Sequence, residues 1–559
     1  MVTGPTARSA APARAVTAGG PAAAGRDRRL RGPAAVAAVF TLLQLALVVP
    51  GSALGWDETV YVSQADPHAP AAFFSAPRAR GIVLLVAPAV LPGVDPHDPV
   101  VLRVYLSVLS GAALFLSLAV WRPLLPARVL TVAGALFAGL WITLLYGSQA
   151  MPNLWVAYGC LIAVGCFLRA VLSPRPPSGR LLAGLAAAVC GVALMRPPDV
   201  LWLLLALGGP ALLVRSWRRP VVLAALAAGA LLGVAEWLVE AELRYGGTAA
   251  RLRRADEIQG GLGWHPAALL DQLRAQNGRT LCRPCGASWR PVTGLWWFLV
   301  PPAVAAGVVV AVRRAAPVRQ ALLVAAVAGG VLALPYVVLI GYAAPRFLLP
   351  AYALLALPVA AGVTALAARG RVWCGLVVAV AAGHLAVQYA VLDAAVDRGR
   401  ETRAAFARVT AELRGEGLRP PCVVSGYEAV RVGYRLGCAS RQVGGHDHGI
   451  TGGGLRAVAL HRPVAVLVAA GSPVPAHARG WRRVSLPALP GMTGFHAYVA
   501  PLPARPAPAN QAARAVPAGP AAPVRRGHRS SDSTADRFIS SGVRQHDIRK
   551  ATSNHPSTG

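Results

Sequence analysis

The chain has 559 residues, of which 55% are hydrophobic and only 14% are charged. Soluble domains carry about 25% charged residues, so this composition, with a mean hydropathy of +0.51, excludes an ordinary soluble enzyme. The formal net charge is +32, but the arginines form short clusters between apolar runs, which indicates membrane topology rather than nucleic-acid binding.

The first element predicted along the chain is a transmembrane helix that follows a polar segment. Residues 1–32 are rich in Ala, Pro, Gly and Arg without apolar periodicity, which predicts a disordered cytoplasmic N-terminus. The apolar run 33–54 is long enough to cross a bilayer core, which requires roughly 20 residues. A cleavable signal is not expected, because the polar lead is long and many apolar runs follow.

The same length test predicts further spans after this first one. They lie near residues 100–121, 128–146, 153–171, 181–195, 199–214, 220–240, 293–312, 320–341, 346–367 and 372–392. The apolar segment 81–93 is too short to span and is predicted to be a re-entrant or juxtamembrane helix. The expected fold class is therefore an all-α polytopic membrane protein with about 11 transmembrane helices over residues 33–392.

The arginine clusters fix the expected orientation of these spans. They fall in alternate loops, so the positive-inside rule places the N-terminus in the cytoplasm and leaves the loops 55–80 and 241–291 on the outer face. This arrangement predicts a multi-pass plasma-membrane protein whose chemistry takes place on the extracytoplasmic side.

After the last span the composition changes. Residues 393–502 contain a charged helical stretch at 397–417, a helical piece at 427–436 and short apolar runs, which predicts a small extracytoplasmic α/β domain. Its predicted strands are at 422–424, 464–468 and 495–499. Residues 503–559 are rich in Ala, Pro, Arg and Ser, so a disordered tail is expected there.

Two adjacent carboxylates, Asp57 and Glu58, open the first outer loop. An acidic pair at a membrane surface can act as a general base or as a cation ligand, because burial raises the proton affinity of a carboxylate. The alternative is structural: Asp is a favoured N-cap, so Asp57 could cap a short interfacial helix.

Four arginines recur on the face that the positive-inside rule leaves poor in basic residues. They are Arg78, Arg80, Arg196 and Arg346. The planar fork of a guanidinium suits phosphate, whereas a single arginine at the end of a span commonly extends toward lipid headgroups.

With these residues in place, the chain resembles the polytopic GT-C glycosyltransferases, the superfamily that contains protein mannosyltransferases and aminoarabinose transferases. The likeness covers roughly residues 33–368. The short motifs that carry it are Asp57-Glu58 with Tyr61, Leu91-Pro92-Gly93, Leu102-Arg103-Val104, Met195-Arg196-Pro197 and Pro345-Arg346-Phe347-Leu348-Leu349-Pro350.

The resemblance implies that a sugar is transferred with inversion from a polyprenyl-phosphate donor to a glycan, lipid or protein acceptor of the envelope. Asp57 would be the catalytic base, and Glu58 would support it or help to hold a divalent cation, Mg²⁺ or Mn²⁺. The residues implied in substrate binding are Tyr61, Arg78, Arg80, Arg196 and Arg346. One departure is the sequence of residues 76–81, where many family members have a His-Pro-Pro motif, so donor or acceptor binding is expected to differ.

Other polar features allow more than one interpretation. The basic loop 241–291 could bind lipid headgroups or an anionic acceptor polymer, or could simply be solvated. Cys282 and Cys285 are expected to form a local disulfide, and Cys422 and Cys438 could also pair. The segment 446–448, His-Asp-His, could ligate a metal but is typical of a turn.

Two rival functions remain at the level of sequence. A transporter or lipid flippase also has many spans, but ion-coupled transporters place ionisable residues at mid-membrane, whereas here charges concentrate at span ends and His384 is nearly alone inside one. In a non-catalytic scaffold, Asp57 and Glu58 would be dispensable.

Overall fold

The computed structural model describes residues 21–501 apart from 284, 287 and 491–493. The predicted tail at 503–559 and the first part of the predicted N-terminal segment, residues 1–20, lie outside the described residues.

Helices dominate the first four-fifths of the described chain. In chain order they are α1 (Pro21–Leu43), α2 (Trp56–Ser63), α3 (Gly81–Val90), α4 (Val100–Val120), α5 (Ala127–Ala138), α6 (Trp141–Gly147), α7 (Asn153–Leu172), α8 (Gly179–Met195), α9 (Pro197–Leu213), α10 (Pro220–Tyr245), α11 (Thr248–Gln259), α12 (Ala267–Ala275), α13 (Pro291–Val312), α14 (Ala316–Leu334), α15 (Leu349–Ala367) and α16 (Arg371–Gly415).

The predicted polytopic fold class is confirmed. Among the described residues, 8 helices have the length and apolar composition to cross a membrane, or up to 9 when α5 and α6 are taken as one bent span. The spans predicted at 181–195 and 199–214 form α8 and α9, which have 17 residues each. At 1.5 Å per residue they are about 25 Å long, slightly less than the hydrocarbon core.

Two helices differ from their predicted bounds. α1 begins at Pro21, before the predicted start of the span at residue 33, and its helical path ends in a wider turn at Gln44–Val48 rather than at residue 54. α16 continues without a break through 45 residues, joining the predicted span 372–392 to the charged stretch 397–417. The predicted domain boundary at residue 393 therefore lies inside one helix.

The span predicted at 128–146 is bent. α5 and α6 meet at 79°, because Leu140 between them has an extended backbone. The freed N–H group of Trp141 donates a hydrogen bond of 3.0 Å to the side-chain oxygen of Gln388 in α16. This bend brings the C-terminal end of α6 close to Arg346, whose Nη1 donates to Tyr146 Oη at 3.3 Å.

The C-terminal region is the predicted small α/β unit. Its elements are β1 (Val423–Gly426), α17 (Ala429–Leu436), β2 (Ala439–Ser440), α18 (Gly452–Ala459), β3 (Val464–Ala469), β4 (Arg482–Leu486) and β5 (Phe495–Val499). The three predicted strands are confirmed, whereas β2, β4 and α18 were not predicted. The sheet order is β2-β1-β3-β5-β4. Strands β1, β2 and β3 pair in parallel, and β5 is antiparallel to both of its neighbours, β3 and β4.

Both faces of this sheet are buried. Alternate residues of β3 contribute to two separate apolar clusters, with Val464 and Val466 on one face and Ala465 and Leu467 on the other. A parallel sheet covered on both faces reads as a continuous apolar run, which explains why β3 was recognisable in the sequence. Disulfides join Cys422 to Cys438 in this unit and Cys282 to Cys285 in the loop 241–291, as expected.

Candidate active site

The short helix α2 carries Asp57, and the N-terminus of this helix is not capped by the carboxylate of Asp57. Glu58, not Asp57, closes the cap: its Oε2 accepts a hydrogen bond of 2.9 Å from the N–H of Gly55, the N-cap residue. Thr59 Oγ1 donates to the carbonyl of Gly55 at 2.8 Å. The capping role considered for Asp57 thus belongs to its neighbour.

Asp57 lies between two guanidinium groups from distant parts of the chain. Arg78 Nη2 is 2.7 Å from Oδ1, and Arg346 Nη2 is 3.3 Å from Oδ2. Burial raises the pKa of Asp57, but the two positive charges outweigh burial and hold this pKa below its ordinary value. Asp57 is therefore ionised at neutral pH. Its side chain is 35% exposed, so solvent can also reach the carboxylate.

Glu58 is buried on the other side of α2. Its two oxygens accept hydrogen bonds from Arg103 Nη1 at 2.5 Å and Nη2 at 2.9 Å, and Oε1 also accepts from the N–H of Ala150 at 2.7 Å. Arg103 in turn donates to the carbonyls of Ala53 and Ser148 at 2.6 and 2.8 Å. This buried ion pair fixes α2 against α4 and against the turn that leads into α7.

A cavity of about 210 Å³ opens beside Asp57 where α2, α7 and α9 begin. The structure brings together five of the predicted site residues on its wall. They are Asp57, Tyr61, Arg78, Arg196 and Arg346. Glu58 and Arg80 are not among the residues that line it.

Arg78 is the cation closest to Asp57 and is held by aromatic rings as well as by charge. Its guanidinium carbon lies 5.0 Å from the centre of the Tyr61 ring and 5.4 Å from that of Trp56. Its Nε donates to Ser75 Oγ at 3.1 Å. Tyr61 therefore helps to position Arg78, and the two side chains form one wall of the cavity.

Arg80 points away from the cavity toward α10. Its Nη2 is 2.5 Å from Glu240 Oε1, and its Nε is 3.4 Å from Glu236 Oε1. The fully buried Arg251 binds the other oxygen of Glu240 at 2.9 Å and donates to the carbonyl of Arg78 at 3.0 Å. This network supports the backbone that carries Arg78, and Arg80 belongs to it.

Arg346 and Arg196 reach the cavity from the segments that precede α15 and α9. Arg346 Nη1 donates to the Thr280 carbonyl at 2.6 Å and to Tyr146 Oη at 3.3 Å. Arg196 forms an ion pair with Asp199, with Nε 3.0 Å from Oδ2, and its guanidinium carbon lies 4.6 Å from the centre of the Phe347 ring. Both arginines therefore have fixed positions.

Among the lining residues that were not predicted as site residues, Arg283 and Asn153 are polar groups of particular interest. Arg283 donates to the Ile258 carbonyl at 2.9 Å and lies over the Tyr342 ring at 4.8 Å, and it has no carboxylate partner among the described residues. Its position inside the Cys-Arg-Pro-Cys motif was the available signal, because the disulfide holds that loop. Asn153 is the first residue of α7, where the sequence marks only the start of a span.

The acidic pair does not fit a divalent cation. Each oxygen of Asp57 faces a guanidinium group, and the oxygens of Glu58 are used by Arg103 and by backbone N–H groups. Among the described residues there is no group of three or more His, Cys, Asp or Glu side chains that could hold a metal ion. In the segment 446–448, the carbonyl of His446 accepts from Arg254 Nη2 at 3.2 Å.

The fold can be compared with solved structures. ArnT from Cupriavidus metallidurans bound to undecaprenyl phosphate matches with a TM-score of 0.61 and 13% identity, over 86% of this chain and 99% of that chain. The chain has the ArnT fold. The apo structure of the same ArnT gives a TM-score of 0.59 at 12% identity over the same shares.

The ArnT likeness confirms the fold that the sequence resemblance implies. The archaeal oligosaccharyltransferase AglB from Archaeoglobus fulgidus matches at 12% identity with a TM-score of only 0.42. The match covers 73% of this chain and 64% of the AglB chain. No protein-family model and no curated protein matches the sequence.

Proposed function

We propose that this protein is a membrane glycosyltransferase that moves a sugar from a polyprenyl-phosphate donor to an envelope acceptor, which would be a glycan, a lipid or a protein. The observation that carries the proposal is the cavity in which one ionised carboxylate, Asp57, is surrounded by Arg78, Arg196, Arg283 and Arg346. A base beside an excess of positive charge suits a reaction that deprotonates an alcohol and releases a phosphate.

In the proposed step, the acceptor hydroxyl attacks the anomeric carbon and Asp57 takes its proton. The bond between the anomeric carbon and the phosphate oxygen breaks, and the electron pair leaves with the polyprenyl phosphate. Attack from the face opposite to the leaving group inverts the anomeric configuration. The bound phosphate becomes a monoester dianion, so the leaving group gains negative charge during the reaction.

The arginines are proposed to divide this work. Arg283 has no carboxylate partner among the described residues, so its charge is available to the phosphate of the donor. Arg346 and Arg78 are shared with Asp57. A phosphate that draws either guanidinium away from Asp57 would raise the proton affinity of this carboxylate when a base is required.

Glu58 and Arg80 are proposed as positioning residues rather than as groups that touch substrate. Glu58 fixes α2 through Arg103, and Arg80 supports the backbone of Arg78 through Glu240. Both remain necessary for activity in this proposal, because each determines where a charged group of the cavity lies.

The proposed location is the outer face of the plasma membrane. The cavity is lined by residues of the loops 55–80 and 241–291, and the arginine clusters support an arrangement with these loops outside and the N-terminus in the cytoplasm. The donor would be a lipid-linked sugar of the kind for which ArnT and its bound undecaprenyl phosphate give the precedent.

The test is a transfer assay on the full-length protein in nanodiscs, supplied with radiolabelled undecaprenyl-phosphate sugars and envelope extract. Wild type should move label to an acceptor, whereas Asp57→Asn should fold normally and transfer none. Asp397→Asn, which changes an exposed carboxylate on α16, serves as the matched control and should retain transfer. Flux of label across a sealed vesicle without transfer would instead support the transporter or flippase.

A further inference from the structure

We infer that Asn153 hydrogen-bonds a hydroxyl group of the sugar that is transferred, and so helps to determine which sugar the protein accepts. This inference rests on the proposed function and extends it from the phosphate to the sugar.

Asn153 is a buried polar residue with an unused acceptor. It is 2% exposed, it lines the cavity together with Asp57 and Arg346, and its Oδ1 has no hydrogen-bond partner among the described residues. A buried acceptor without a partner destabilises a fold by about 1–3 kcal/mol. A side chain of this kind on the wall of a cavity is explained by a ligand group that donates a hydrogen bond.

The chemistry of Oδ1 excludes the phosphate as that ligand group. The oxygens of an ionised phosphodiester accept hydrogen bonds and donate none, and they are matched by arginine. A sugar hydroxyl both donates and accepts, so it can donate to Oδ1. The attacking hydroxyl of the acceptor is assigned to Asp57, and the inference assigns Asn153 Oδ1 to a hydroxyl of the donor sugar.

The position of Asn153 relative to the base is fixed by the backbone. Asn153 begins α7 shortly after Ala150, whose N–H group donates to Glu58 Oε1 at 2.7 Å. Glu58 adjoins Asp57 on α2 and is anchored by Arg103. The base and the amide therefore lie on two segments that the buried Glu58–Arg103 pair and the Ala150 backbone hold side by side, and a specific sugar pocket requires segments fixed in this way.

The inference is tested by direct binding to the full-length protein in nanodiscs. The probes are undecaprenyl phosphate alone and undecaprenyl-phosphate-linked mannose, glucose and arabinose. Asn153→Ala is compared with Arg283→Ala and with Asn277→Ala. Asn277 is the matched control, because its Oδ1 is also buried and unpartnered among the described residues but does not line the cavity.

Asn153→Ala should weaken binding of the preferred sugar conjugate about three- to tenfold, the value of one neutral hydrogen bond, and should leave undecaprenyl phosphate unaffected. Arg283→Ala should weaken both probes, and Asn277→Ala neither. Retained binding of undecaprenyl phosphate shows that the variant is folded. A deoxy analogue that lacks the contacted hydroxyl should bind wild type and Asn153→Ala equally.

Three results overturn the inference while the proposed function stands. They are an unchanged affinity of Asn153→Ala for the conjugate, an equal loss for both probes, and a wild type that binds no conjugate more tightly than undecaprenyl phosphate. A wild type that binds none of the probes overturns the proposed function itself, and the inference with it.

Discussion

Arg346 Nη2 lies 3.3 Å from Asp57 Oδ2, although 289 residues separate the two in the sequence. The contact joins the start of α2 to the segment just before α15. Together with Arg78 on the other oxygen, it keeps Asp57 ionised. The proposed base is thus set by residues that are brought together only by the fold.

Arg78→Gln should move the acid limb of the pH profile upward. In wild type the pKa of Asp57 lies below its ordinary value, so protonation removes the base only at a pH below that value. Loss of one guanidinium leaves burial, which raises this pKa, less opposed. The measurement is the pH dependence of kcat/KM for transfer. Arg479→Gln, at an exposed position, should keep the wild-type limb, and an unshifted limb in Arg78→Gln would contradict the assignment of Asp57.

Arg103→Leu should lower the free energy of unfolding by about 3–5 kcal/mol, because it leaves the carboxylate of Glu58 buried without its partner. Thermal and denaturant unfolding of the purified protein measure the loss. Glu257→Gln breaks the exposed pair with Arg254 and should change stability by less than about 1 kcal/mol. Equal effects of the two substitutions would show that the Glu58 pair is not the anchor of α2.

Sequence patterns were sufficient for the membrane fold, because apolar length and arginine placement are local properties, whereas Asp57 was proposed as the base only through the family resemblance. They could not separate Asp57 from Glu58. Neighbours on a helix point about 100° apart, so one carboxylate reaches the cavity and the other is buried against Arg103. The capping of α2 by Glu58 became visible only once the start of the helix was known.

The arginines illustrate the same limit. Arg78 and Arg80 occur in one short segment, yet Arg78 binds Asp57 whereas Arg80 binds Glu240 on a distant span. Arg283 enters the cavity because its loop pairs with the segment before Arg346, through the backbone of Cys282 and Ala343. Contacts of this kind depend on tertiary approach and have no periodic signature in the sequence.

Cys438→Ser should destabilise the C-terminal α/β unit by about 3 kcal/mol, the entropic value of a disulfide that closes a loop of this length. The bond joins Cys422, the residue before β1, to Cys438, the residue before β2. Limited proteolysis and thermal unfolding of the full chain measure the effect, and Cys374→Ser removes an exposed free thiol as the control. Identical stability of the two variants would show that the bond contributes nothing to this unit.

Cys374 offers a direct test of the proposed orientation. It is an exposed free cysteine at the start of α16, close to Arg369 and Arg371, which the positive-inside rule places in the cytoplasm. A membrane-impermeant maleimide added to intact spheroplasts should therefore leave Cys374 unlabelled and should label it after lysis. His461→Cys, at an exposed position in the C-terminal unit, should be labelled in intact spheroplasts. The reverse pattern would place the cavity with Asp57 on the cytoplasmic side and exclude an extracytoplasmic transfer reaction.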